Sequence, residues 1–124
     1  MQDKVNLEQA FASFTDQWSP RLAAELNGQH VRLAKLKGEF VWHAHENEDE
    51  MFLVVRGQLI LRLRDREISL NAGEFFVVPR GVEHLPIARE EAWVVVFEPA
   101  ETLNTGNVRN ERTRTDLKTL DRRG

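Results

Sequence analysis

Residues 41–57 read VWHAHENEDEMFLVVRG. Two histidines one residue apart leave an apolar run. A polar patch, Glu46-Asn47-Glu48-Asp49, follows with nothing to bury and reads as a loop. Glu50 then opens Met-Phe-Leu-Val-Val-Arg, a run of strong β propensity, and Gly57 closes it. If 40–45 is a strand, His43 and His45 point to one face, because side chains alternate along a strand. By the same parity Glu50 shares its face with Phe52 and Val54. A carboxylate at the head of a buried strand is unusual unless something pairs with it.

The same alternation extends in both directions. Leu22, Ala24 and Leu26 alternate before Asn27-Gly28, a strong hairpin signal, and 31–37 continues as a strand up to Gly38. Further short strands are expected at 40–45, 50–56, 58–64, 66–70, 74–78, 83–87 and 92–98. Their separators are turn residues, among them Arg56-Gly57, Asn71-Ala72-Gly73, Pro79-Arg80-Gly81 and Arg89-Glu90-Glu91. Many short strands with no helical period between them argue for an antiparallel sandwich or barrel. One helix precedes them. Asn6 can cap with Gln9 three residues on, and Leu7, Ala10, Phe11, Phe14 and Trp18 recur at helical spacing, so a helix is predicted over 7–17. Pro20 ends it.

With 124 residues the chain is sized for one domain with one proper core. A formal net charge of −3 makes no case for nucleic acid or an anionic membrane as partner. The start, MQDKVNLEQAF, has no apolar h-region, and no apolar stretch approaches the ~20 residues that cross a bilayer, so a cytoplasmic location is expected. There is no cysteine, which removes disulfides, thiolate metal sites and thiol nucleophiles. There is no tyrosine either, so no phenol can serve as acid or base. The domain is placed at 1–107. Residues 108–124 carry six basic and three acidic side chains, net +3 against −6 for the rest, and read as a polar, mobile tail.

A third imidazole is available at His84, after Pro79-Arg80-Gly81. His43, His45, His84 and Glu50 together would make a borderline-hard site suited to Fe, Mn, Co, Ni, Cu or Zn. The two adjacent histidines also fit a plainer description, edge-strand residues beside a solvated acidic loop.

Two motifs in this chain resemble those of the cupins. The first cupin motif runs approximately G-x5-H-x-H-x3-4-E-x6-G. Here His43-Ala-His45, four residues, Glu50, six residues and Gly57 match it, while Gly38 stands one residue too close. The second runs approximately G-x5-P-x-G-x2-H-x3-N, matched by Gly73, Pro79, Gly81 and His84, with Ala88 where the asparagine belongs. The resemblance spans about residues 31–98. It implies an all-β, antiparallel jelly-roll barrel with a short N-terminal helix, and one divalent transition metal held by His43, His45, Glu50 and His84. Residues 98–107, EPAETLNTGN, resemble the end of a subgroup of small bacterial single-domain (cupin 2 type) cupins labelled isomerase-like. Their polar side chains are expected to latch the chain after the last strand.

Four protein ligands on an ion that accepts six leave two positions for water, oxygen or a chelating small molecule. The sequence is compatible with a metal-dependent enzyme of dioxygenase or isomerase type on a small oxygenated metabolite. The alternative is a non-catalytic metal-bearing module that binds or senses a small ligand. Arg56 shares strand parity with Glu50 and is the candidate to hold a substrate carboxylate or phosphate at the cavity mouth. Its plainer description is an exposed residue at a hairpin end. With His43, His45 and Glu50 inside, Phe40, Trp42, Met51, Leu53 and Val55 point outward. The N-terminal helix could cover them, but a homodimer partner is the expected cover.

Overall fold

The computed structural model describes residues 3–120. The elements are α1 (Leu7–Ala12), β1 (Arg21–Leu26), β2 (Gln29–Glu39), β3 (Glu50–Arg56), β4 (Gln58–Leu63), β5 (Glu67–Asn71), β6 (Phe75–Val78), β7 (His84–Pro99) and β8 (Lys118–Thr119). The sheet runs β5-β4-β7-β2-β1-β8, with β3 bonded to both β7 and β6. All pairings but β1 with β8 are antiparallel, so this is the expected all-β jelly roll, rolled up without closing fully.

Four expected elements differ. The helix stops at Ala12 rather than 17, because Ser13 folds back onto the Ala10 carbonyl with both its N–H and its hydroxyl. The chain then runs extended. Trp18, at φ 56°, donates its backbone N–H to the Lys35 carbonyl and its indole N–H to that of Lys37. The strands expected at 83–87 and 92–98 are one strand, β7. Its partner β2 matches Leu36 with Ala92 and Gly38 with Ala88, so Arg89-Glu90-Glu91 bulges out of the ladder instead of turning the chain. Residues 40–45 are not a strand. An isolated bridge forms there, His43 exchanging both backbone bonds with His84 (3.1 and 2.9 Å), and Phe40 donates its N–H to the Pro86 carbonyl (3.0 Å).

Two apolar layers result. Inside the roll lie Leu36, Phe52, Val54, Leu59, Leu61, Val94 and Val96 with Trp18. Outside it, Phe11 and Phe14 cover Leu33 and Val95, and Phe11 stacks on Trp93 at 4.9 Å. Leu120 joins this outer layer, where Lys118–Thr119 pairs with Arg21 and Leu22. Burying a side chain of that size contributes about 1.5–3 kcal/mol. Of the five residues expected to face outward, Leu53 and Val55 pack into this layer, so the helix end does cover part of that surface. Phe40 faces inward and stacks on Trp18 at 4.6 Å.

Candidate metal centre

His43, His45, Glu50 and His84 meet inside the roll. One ligand atom from each lies within 4.8 Å of all the others, and all four residues are buried. Glu50 is the first residue of β3, and its position is set by the Glu50–Val78 pair with β6. His84 opens β7. The loop carrying the other two histidines is held from three sides. His43 pairs with His84, as above. The Gly81 N–H donates to the His45 carbonyl (2.8 Å). The Ala44 N–H donates to Asn107 Oδ1 and the Asn107 N–H to the Ala44 carbonyl, both at 3.0 Å. Asp49 ties the acidic loop down by accepting the Arg80 N–H (2.8 Å).

The ring orientations fit a metal ion. His43 Nδ1 lies 2.9 Å from the Val41 carbonyl and His84 Nδ1 3.0 Å from that of Val82. A carbonyl can only accept, so each Nδ1 carries a proton, and in the neutral ring Nε2 keeps the lone pair. Yet His84 Nε2 lies 3.3 Å from Glu50 Oε1, and His45 Nε2 lies 3.2 Å from the same oxygen. Lone pairs brought this close in a buried site call for a positive charge among them. His45 strengthens the case, since neither of its ring nitrogens has a hydrogen-bond partner although both are buried. The three imidazoles and one carboxylate could hold a metal ion.

The electrostatics set the two histidines of the loop apart. Burial, with His84 beside it, lowers the His43 pKa to about 4, so its ring is neutral and free to ligate at neutral pH. Burial works to lower His45 too, but the Glu50 carboxylate outweighs it and raises that pKa. Burial would raise Glu50; the closeness of Glu98, His45 and His84 overcomes it and holds the carboxyl well below its ordinary range.

A cavity opens beside the cluster, about 480 Å³ of space with its solvent-open mouth included. Its apolar walls include Trp18, Pro20, Leu36, Phe40, Phe52 and Pro86. Arg56 is not among its lining residues. Val54 pairs with Val94 and Arg56 with Trp93, so Val55 is an extra residue in β3 and the bulge reverses the parity beyond it. The Arg56 guanidinium lies over the outer face of the sheet, 3.9 Å from the centre of the Trp93 ring and 3.6 Å from Glu8. The cavity's cation is instead Arg32, on β2, which the sequence reading did not single out. It pairs with Glu98 (2.8 Å), which also lines the cavity. A usable signal existed. Arg32 shares parity with Ala34 and Leu36, and Glu98 with Val94 and Val96, all inward-facing.

A family match to the Cupin domain covers residues 29–99, more than half of the chain, and the chain belongs to that family. Among solved structures it is similar to a cupin-2 domain containing protein from Shewanella frigidimarina (46% identity, 77% of this chain and 93% of that one, TM-score 0.76). It also resembles protein NMB1881 from Neisseria meningitidis (28% identity, 79% and 100%, TM-score 0.73). Among curated proteins it is similar to the uncharacterized protein YdbB of Bacillus subtilis, 39% identical over 62 residues, 49% of this chain and 55% of that one. An Aspergillus fumigatus protein named 3-hydroxyanthranilate 3,4-dioxygenase 2 is 29% identical over 85 residues, 63% of this chain and 45% of that one. The chain thus spans about half the length of the curated relatives it matches. No helix among the described residues is long and apolar enough to cross a membrane.

Proposed function

We propose that His43, His45, Glu50 and His84 hold one divalent transition metal ion, and that the protein is a cytoplasmic metal-dependent enzyme acting on a small oxygenated metabolite. The observation that carries this is the pair of Nδ1–H bonds from His43 and His84 to backbone carbonyls. They fix both rings with their free electron pairs available to the space that His45 and Glu50 share. A bound ion would supply Lewis acidity towards a chelated oxygen or, as iron, activation of dioxygen.

The chain's own contribution is an apolar-walled pocket that opens beside the cluster. Glu98, buried against Glu50, is the one further carboxyl available to a reacting ligand. Distant similarity to a protein named as a dioxygenase supports the oxidative branch, isomerisation being the other. The test is elemental analysis of protein purified without chelator or affinity tag, followed by oxygen uptake and isomerisation assays on iron- and manganese-loaded samples. About one equivalent of metal with turnover is expected. Below about a tenth of an equivalent after reconstitution the centre fails. Full metal occupancy without turnover over a panel of small acids, sugars and phenols would identify a binding module instead.

A homodimer belongs to the same proposal. Phe75 and Val77 on β6 are 61% and 45% exposed, and their β3 neighbours Leu53 and Met51 are only half-buried. An exposed apolar strip on a sheet face is the surface a second copy would cover.

A further inference from the structure

Residues 104–114 lie beyond the stretch that matches the family, and Asn104 brings them to the cavity wall. This segment is built to hold Arg112 in place. The Asn104 amide donates to the Arg112 carbonyl and its oxygen accepts the Arg114 N–H, both at 2.8 Å. The Arg112 N–H donates to Asn110 Oδ1 (2.9 Å), so both backbone polar groups of Arg112 are fixed. Its guanidinium carbon lies 5.3 Å from the centre of the Trp18 ring and 5.9 Å from that of Phe40, two rings of the cavity wall that stack on each other. Arg112 is half-buried and stands at the rim, beside these three wall residues. Among the described residues no carboxylate and no hydrogen-bond acceptor meets its guanidinium, whereas Arg21, Arg32, Arg56, Arg64 and Arg80 each pair with a carboxylate. An aromatic ring engages the flat face of a guanidinium and leaves the N–H donors around its edge open.

Building on the metal centre proposed above, we infer that Arg112 is a specificity residue for an organic carboxylate whose other end presents a pair of oxygens to the four-residue cluster. Phe40 links the two ends. Its ring centre lies 5.9 Å from the Arg112 guanidinium and 5.4 Å from the His43 ring, and these two steps bound the reach. A single aromatic ring, or a chain of similar length, spans it with a hydrogen bond to spare. The body of the ligand lies along the apolar wall, and its carboxylate takes two parallel N–H bonds from the guanidinium fork. The other arginine of the cavity does not compete. Arg32 commits Nη1 to Glu98 and the Thr102 carbonyl, and Nη2 to the Ala100 carbonyl and His30. A divalent ion at the cluster and a cation at the rim both attract anions, so an acid is preferred to its neutral amide.

Calorimetric titration of the zinc-loaded protein with 3,4-dihydroxybenzoate and 3,4-dihydroxybenzamide tests this, since the amide keeps the oxygen pair and loses the charge. The acid should bind about tenfold or more tighter. Arg112→Gln should bring the acid to within about twofold of the amide and leave the amide within about twofold of its affinity for the parent. Arg112→Lys keeps the charge without the fork and should fall between. Equal affinities in the parent, a preference that survives Arg112→Gln, or no binding of the acid up to ~10 mM would overturn the inference. So would an equal loss of acid and amide in Arg112→Gln, which would make the residue a mere prop for the pocket. The ranking in the parent stands as a test even where a variant misfolds. Metal content is measured on the same samples. Metal-free protein whose preference for the acid still depends on Arg112 would sink the metal centre and keep the anion site, and metal-replete protein without that preference would do the reverse.

Discussion

The histidine loop is gripped by a segment far away in sequence, and one methyl group tests the grip. Gly106 sits at φ +57°, and a Cβ built there would lie 2.3 Å from the Ala44 carbonyl oxygen, 2.9 Å from its carbon and 3.1 Å from His43 Cδ2. Relief requires either the strap at 104–107 or the loop at 43–45 to retreat by about 1 Å, since unstrained carbon contacts lie near 3.5–4.0 Å. That displacement is enough to weaken both Asn107–Ala44 hydrogen bonds. Each contributes about 0.5–1.5 kcal/mol, and the left-handed conformation costs an alanine about 1–2 kcal/mol. Gly106→Ala should therefore lose about 2–5 kcal/mol in chemical denaturation. Because Ala44 lies between two ligands, zinc affinity measured against a chelating indicator should fall about 10–100-fold. Asn107→Ala removes the Oδ1 acceptor and inserts nothing, so it should share the direction and fall short of the size. Lower stability with zinc affinity within twofold of the parent would mean the strap moves while the loop stays, and would refute the claim that it holds the ligands.

Four shorter expectations accompany this one. His45→Ala should abolish stoichiometric metal while leaving the β-rich circular dichroism spectrum, because the apolar layers stand apart from the ligands; whole-chain unfolding would make the ion structural. Arg32→Met strands the Glu98 carboxyl in the interior and should cost about 3–5 kcal/mol, with adding Glu98→Gln recovering a large part; equal stability of the single variant and its parent would contradict the pairing. Arg56→Ala should leave metal and ligand binding unchanged and shift stability by about 1 kcal/mol or less, as the guanidinium lies on the outer face; a loss of ligand affinity would return Arg56 to the cavity. Sedimentation of the parent at micromolar concentration should give a dimer that Phe75→Glu dissociates, and a monomeric parent would remove that proposal.

The fold was legible where local chemistry decides. Asn27-Gly28 turned the chain as expected, and Glu50 to Gly57 became β3 and its turn, since alternation and turn residues act within a few positions of themselves. Misreadings arose where a neighbouring strand overrode the local signal. Arg89-Glu90-Glu91 carries turn chemistry, yet β2 lies alongside on both sides of it, and the cheaper outcome is a bulge within a continuous strand. The extra residue at Val55 is invisible in the sequence for the same reason, and one unforeseen bulge sufficed to move Arg56 from the cavity to the surface.

The centre itself follows the same division. Its ligands sit at spacings that a strand start and a turn impose, so the histidine pair, Glu50 and His84 could be drawn together from their positions alone. What supports them has no spacing. Arg32 and Glu98 meet across 66 residues and Ala44 and Asn107 across 63; a charged side chain on an inward parity is the one trace the first contact leaves, and the second leaves none. That trace is informative because burial of a charge is tolerated only when paired. The pairing of Arg32 with Glu98 satisfies that rule for the cation, and Glu98 in turn lies against Glu50, so the buried pair and the four-residue cluster are one connected polar group inside the roll.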